Sequence, residues 1–385
     1  MGITPRVASL REQSLNAAPT ISIERARLMT DFYAQENGPI SEPVRRALAF
    51  QYLLENKEIY IGAGELIVGE KGPEPKATPT YPELCCHTLS DFDVLDSREK
   101  IPFAVSKKAR RVQEQVVIPA WRGSSMRDLI LREMTAEWHW AYETGVFTEF
   151  MEQRSPGHTV LDDKIYHKGM LDFENDLQVS LNALDFLHDP RAFDKQEQLQ
   201  AMRIAARALI RFAERHAAKA RELAVQEKNK ERQTELLRIA DVCEWVPARA
   251  PRTFWEALQY YWFVHLGVTI ELNPWDAFNP GRLDQHLAPF YEREVAEGTL
   301  TREQARELLH CFWIKFNNQP APPKVGVTAA ESGTYTDFAQ INTGGVKEDG
   351  ADAVNELTYL LLDVIEEMRL LQPSSSLQLS KKNPD

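Results

Sequence analysis

Apolar residues recur at helical spacing over 22–37 and 43–57, where Val44, Leu48 and Tyr52 share a face, so two amphipathic helices are read as opening the chain. Leu177, Leu181 and Leu184 make an i, i+4, i+7 stripe. Leu199, Met202, Ala206 and Leu209 begin another that runs towards Glu227, and both stripes are read as core-facing. Thr253 with Glu256 and Thr301 with Gln304 fit the capping box, in which a hydroxyl and the side chain three residues on satisfy backbone N–H groups reciprocally. The first box opens FWEALQYYWFVHL, apolar all round, which predicts a helix from Thr253 to about Leu266 sunk deep in the protein. His265 within it is read as a hydrogen-bonded core histidine.

Three further patterns read as extended chain or turn. GELIVGEKG, 64–72, is a short apolar run bounded by glycines, as a buried strand or turn requires. Beyond Asn317, KVGVT, INTGGV and SLQLS are strand-like runs between turn residues, while 352–371 returns to helical spacing. The fold class expected is α/β: mainly helical over 1–317, then over 318–385 the start of a sheet with crossover helices, a sheet that looks unfinished. An unfinished sheet would leave SLQLS as an open edge, so self-association, or pairing with a C-terminal half chain that completes it, is expected.

Composition narrows the function classes. The 385 residues, 43% hydrophobic and 26% charged, suit a globular protein with a sizeable core. A net charge of -12 disfavours the phosphate backbone of nucleic acid, and the one basic run, Lys107, Lys108, Arg110 and Arg111, is read as a solvated helix face. No stretch reaches the ~20 apolar residues of a membrane span, and the first residues lack a signal-peptide core; no membrane partner and a cytoplasmic location are expected. Four cysteines without C-x-x-C spacing are expected as reduced thiols, Cys85-Cys86-His87 included, and no metal site is read.

Three segments carry candidate chemistry. FTEFMEQRSPGHT, 147–159, breaks its helical pattern at Ser155-Pro156-Gly157 and leaves His158 in a loop, as either a capping histidine or a site residue. ELNPWDAFNPGR, 271–282, sets an acid among aromatics, amides and prolines directly after a buried helix. Asp276 is either a turn cap or a carboxylate in a partly apolar pocket, where it would bind a cation strongly. ESGTYTDFAQINTGG, 331–345, is a hydroxyl-rich loop between strand-like runs that reads as a polar pocket, with Ser332, Asp337 and Phe338 of interest.

Together with TPTYPELCCHT and KFNNQPAPPKVG, these segments resemble the glycyl radical enzymes of the pyruvate formate-lyase-like family, most nearly the hydroxyproline-dehydrating branch. The resemblance runs from about Arg11 to the C-terminus. It implies the first part of a ten-stranded α/β barrel, a PFL-type domain over 1–385 of which this is the N-terminal part. It also implies a substrate site drawn from Phe150, His158, Asp276, Ser332, Asp337 and Phe338. For a zwitterionic, hydroxylated ring, His158 would bond or protonate the departing hydroxyl, and Asp276 or Asp337 would pair with the ammonium. Ser332 would bond the carboxylate, with Phe150 and Phe338 packing the ring.

The family carries its thiyl cysteine in a C-x-E pattern and its radical glycine in an R-V-x-G-Y-like motif, and neither pattern occurs here. The chain alone is therefore expected to be inert, as a truncated product, one half of a split enzyme or an incomplete sequence. The resemblance implies no bound organic cofactor, a glycyl radical only in the full-length enzyme, a radical S-adenosylmethionine activating enzyme as partner, and a homo-oligomer. Other branches (formate acetyltransferase-like, isethionate sulfite-lyase, diol dehydratase) and a non-catalytic assembly subunit are the alternatives.

Overall fold

The computed structural model of the chain describes residues 2–35, 38–146, 161–272, 279–331 and 339–383. Thr4 caps the first helix and Pro5 opens it, where its missing N–H is no loss. From there α1 (Pro5–Asn16) leads through β1 (Thr20–Ser22) to α2 (Glu24–Tyr33) and α3 (Glu42–Asn56). β2 (Ala77–Pro79) pairs parallel with β1. α4 (Leu89–Ser97), α5 (Lys107–Val112), α6 (Ile118–Trp121), α7 (Met126–Glu133) and α8 (Ala136–Glu143) follow. Next come α9 (Met170–Asn182), α10 (Ala192–Gln226), α11 (Lys230–Trp245) and α12 (Phe254–Glu271). β3 (Gly281–Arg282), α13 (Leu283–Glu297), α14 (Arg302–Asn317), α15 (Val327–Glu331), β4 (Gln340–Gly344), α16 (Glu356–Met368) and β5 (Ser374–Gln378) complete the order.

The helices read at 22–37 and 43–57 are α2 and α3, but α1 precedes them. Its sequence buries Val7, Leu10 and Ser14, a stripe too thin to stand out. The stripe begun by Leu199 is only partly inward: Met202 is 55% exposed, because α10 packs through small residues, Ala206, Ala208, Ala213, Ala217 and Ala220. Leu177 is buried, but α9 stops at Asn182, short of Leu184. The basic run lies on α5, where Lys107, Lys108 and Arg111 are exposed and Arg110 pairs with Asp93 and Asp96. No described helix is long and apolar enough to cross a membrane.

The helix read as buried all round is α12, and it runs on to Glu271. Thr253 Oγ1 accepts from Glu256 N at 3.2 Å, but the Glu256 carboxylate reaches one residue further back, to Arg252 N at 2.6 Å, so this capping box is displaced. The box at Thr301 and Gln304 forms as read. His265 is buried, 3.3 Å from Tyr261 Oη and stacked on Trp262 at 4.9 Å.

The glycine-bounded run at 64–72 is buried yet joins no sheet; the backbone of its middle, 66–69, is met by side chains of α12, and Arg6, Arg232 and Lys57 donate to Gly64 O, Glu65 O and Glu70 O. Trp255 Nε1 donates to Leu66 O, Gln259 both accepts from Val68 N and donates to Val68 O, and Trp262 Nε1 donates to Gly69 O. Gly69 has φ +112°, and a Cβ there would stand 2.6 Å from Leu266 Cδ1. The segment thus follows α12 so closely that only glycine fits.

Among the described residues, β3, β4 and β5 form one parallel sheet, with Gly281 opposite Ile341 and Ile341 opposite Ser375. α13, α14 and α16 cross between these strands, as parallel pairing demands. INTGGV and SLQLS therefore contain strands as read, whereas KVGVT does not. Gly326 turns the chain at φ +59° and α15 follows. β3 also begins the sheet earlier than the pattern suggested, because two residues after a proline leave no apolar run to read.

Beneath α12, a buried ammonium is held between acids from the 64–72 run. Lys315 Nζ on α14 donates to Glu65 Oε1 at 2.8 Å and to Glu70 Oε1 at 2.5 Å. Asn318 and Gln319 donate to the same Glu70 carboxylate, and Gly62 N donates to Glu65 Oε2. Burial raises the Glu70 carboxyl against the pull of Lys315, while the two acids outweigh burial to hold Lys315 protonated. Removing one member of such a cluster strands the others without water. Lys315→Met should lower stability by roughly 3–5 kcal/mol in urea unfolding. Lys219→Met, which breaks the exposed pair with Glu222, should cost under about 0.5 kcal/mol.

Candidate active site

Phe150, His158, Asp276, Ser332, Asp337 and Phe338 lie in 147–160, 273–278 and 332–338, outside the described residues. What the structure gives is the frame from which those segments depart. Each pair of segments has described flanks in contact.

The entry to 273–278 is the C-terminus of α12, whose last carbonyls have no partner within the helix. Three side chains supply one. Tyr81 Oη donates to Thr269 O at 2.5 Å, Arg25 Nε to Ile270 O at 2.6 Å, and Arg46 Nη2 to Glu271 O at 2.9 Å. Cations also suit the negative end of the helix dipole. Glu83 binds both arginines, by Arg25 Nη2 at 2.6 Å and Arg46 Nη1 at 3.2 Å, and Arg46 is further paired with the Glu271 carboxylate. Burial would push Glu83 up, but the guanidinium groups of Arg25 and Arg46 outweigh it and hold its carboxyl below the ordinary range. At Glu271 burial outweighs the same arginines, and the carboxyl is raised.

The exits of 273–278 and 332–338 meet on the sheet. Gln340 N donates to Asn279 Oδ1 at 2.7 Å, just before the Gly281–Ile341 pair. Behind them Asp284 Oδ2 accepts from Gly344 N at 2.8 Å and from Thr358 Oγ1 at 2.6 Å, fixing β4 to the starts of α13 and α16. The segment 147–160 is flanked on both sides as well. Before it, Tyr142 Oη accepts from Arg127, and Gly326 presses on both, since a Cβ there would lie 2.8 Å from Tyr142 Oη. After it, the buried Tyr166 ring stacks on His286 at 5.2 Å. Its entry is thus near the chain that leads to 332–338, and its exit near the helix that follows 273–278.

Sequence reasoning missed Arg25, Arg46, Asn279 and Asp284. Glu83 and Glu271 stand inside quoted motifs, but their partners lie up to 225 residues away, and no local spacing encodes that. Cys85-Cys86-His87 is structural here: Cys85 is buried, and burial followed by Asp128 and Asp91 pushes the Cys86 thiol up to about 12. His87 is buried with Nε2 3.2 Å from Pro323 O. Burial also pushes Cys311 up to about 12, so neither thiol is poised as a thiolate nucleophile. Among the described residues, no group of three or more His, Cys, Asp or Glu side chains could hold a metal ion.

This helix-rich α/β frame with its parallel sheet matches one family throughout: residues 3–385 fit the pyruvate formate lyase-like family, and the chain belongs to these glycyl radical enzymes. Over 383 residues, all of this chain and 48% of the relative, it is 55% identical to the trans-4-hydroxy-L-proline dehydratase of Clostridioides difficile. The crystal structure of hydroxyproline dehydratase from that organism, with trans-4-hydroxy-L-proline bound, superposes with a TM-score of 0.95 at 55% identity, covering all of this chain and 49% of that one. Isethionate sulfite-lyase of Nitratidesulfovibrio vulgaris is 32% identical over 99% of this chain and 47% of its own length. The chain spans about half the length of the curated relatives it matches.

The arginine cap makes a pH prediction. A carboxyl held low in the fold contributes stability that is complete above its unfolded value, about 4.3 for glutamate, and is lost as pH falls through the folded value. Glu271, raised, titrates on the other side of that value. Urea midpoints measured from about pH 5 downwards should therefore fall less steeply for Glu83→Gln than for the parent chain.

Proposed function

We propose that the chain supplies the substrate-facing half of a glycyl radical hydro-lyase that dehydrates trans-4-hydroxy-L-proline to pyrroline-5-carboxylate in the cytoplasm. The observation that carries this reading is the 55% identity along the whole chain to a dehydratase of that substrate, over segments whose flanks converge in the fold. Hydrogen abstraction would come from a glycyl radical installed by a radical S-adenosylmethionine activase. Its residues are assigned to sequence that the relatives carry beyond the matched part, so the 385 residues alone would not turn over substrate.

The roles follow the chemistry of the substrate. His158 holds the 4-hydroxyl and gives it a proton as it leaves as water. Asp276 or Asp337 pairs with the ring ammonium in a site of low dielectric, Ser332 bonds the carboxylate, and Phe150 and Phe338 close on the ring and keep water out. An acid paired with an ammonium fits an amino acid better than a sulfonate or a diol.

The test is a chimera in which residues 3–385 replace the matching part of the Clostridioides relative, activated anaerobically. It should convert trans-4-hydroxy-L-proline. Asp276→Asn should lower kcat/KM by roughly a hundredfold, the worth of a buried bond to a charged group, with the melting temperature little changed. Turnover of isethionate or a diol in place of hydroxyproline, or unchanged kinetics in Asp276→Asn, would contradict the reading.

A further inference from the structure

The sheet of β3, β4 and β5 has two unlike faces. Side chains alternate along a strand, so the register puts Ile341 and Thr343 on one face and Arg282, Gln340, Asn342, Ser376 and Gln378 on the other. Ile341 joins the apolar cluster that holds Leu283 and Leu287 of α13 and Leu357 and Leu361 of α16, so its face is the one the helices cover. The opposite face carries no apolar side chain. A parallel sheet is ordinarily apolar and buried on both faces, so an all-polar face suits a polar ligand rather than a second core layer.

Two side-chain bonds cross this polar face. Gln340 Nε2 donates to Ser376 Oγ, and Arg282 Nη2 reaches over β4 to Gln378 Oε1 at 3.3 Å. A Cβ at Gly345 would stand 2.9 Å from that Gln378 oxygen, so glycine there leaves room for the bridge. Asn342 lies between the two bonds, partly buried, opposite Arg282 on one side and Ser376 on the other. Among the described residues its amide has no hydrogen-bond partner. The acceptors of Arg282, Val346 O at 2.7 Å and Gln378 Oε1, are both neutral, so among the described residues its charge has no ion-pair partner.

We propose that this face is a binding wall for the carboxylate of the substrate, with Asn342 Nδ2 donating to a carboxylate oxygen and Arg282 supplying the opposite charge. An amide donor beside an unmatched guanidinium favours an anion, and partial burial strengthens both interactions. That the carboxylate is hydroxyproline's rests on the reading above; that the wall prefers an anion does not.

Equilibrium binding to the chimera before activation, when no turnover competes, tests this. Calorimetry compares trans-4-hydroxy-L-proline with its carboxamide, which keeps the ring, hydroxyl and ammonium but not the anionic charge. Asn342→Ala should weaken the acid about tenfold and Asn342→Asp, equal in size but negative, about a hundredfold, while the carboxamide should change less than about threefold in Asn342→Asp. Asn342→Ser replaces Asn342→Ala should that variant fail to fold. A merely structural role would weaken both ligands alike, so equal losses overturn the proposal. Asn342→Asp binding the acid as tightly as Asn342→Ala overturns it too. A parent chimera that binds L-lactate but not hydroxyproline, with the same loss in Asn342→Asp, supports the wall and sinks only the substrate reading. One that binds neither acid overturns the wall as well.

Discussion

Everything else in this fold accommodates one helix that has no exposed face. α12 is buried from Phe254 to Ile270 apart from the partly exposed Trp255 and Val268, so each polar group on it needs a partner from the protein. Its indoles and Gln259 find theirs in the backbone of 66–69, which draws that run in and forces glycine at position 69. That same run brings Glu65 and Glu70 inside, and the two acids are tolerable only because Lys315 arrives from α14. One constraint thus fixes the glycine, the acids and the lysine together.

The same constraint decides how the site is built. A buried helix that ends inside the protein exposes carbonyls that water cannot reach, and Arg25, Arg46 and Tyr81 answer them. Beyond this terminus, Asn279 accepts from Gln340 N on the sheet. Binding residues on loops are useful when the elements that launch and receive them do not move. Here the launching end is ionic, and the receiving end is a β-ladder.

What the sequence made legible was local. The all-round apolar run of α12, the box at Thr301 and Gln304, the core role of His265 and the strands in INTGGV and SLQLS each announce themselves within a dozen residues. KVGVT misled because apolar alternation says nothing about Gly326, whose φ is positive. The run at 64–72, read as a buried strand or turn, is the latter: it is buried with turns and bends and joins no sheet. The arginine cap and the Asn279–Gln340 bond join residues 37 to 246 apart, which composition and periodicity cannot see. The six candidate substrate residues came from family resemblance, and they lie outside the described residues.

The proposed function requires that these three segments contribute to one pocket for a hydroxylated, zwitterionic ring. A crystal structure of the chimera with trans-4-hydroxy-L-proline tests it most directly. The account predicts ligand density in contact with His158, Asp276 and Ser332 at once, with the ring between Phe150 and Phe338. Density elsewhere, or these side chains too far apart to touch one molecule, would contradict it.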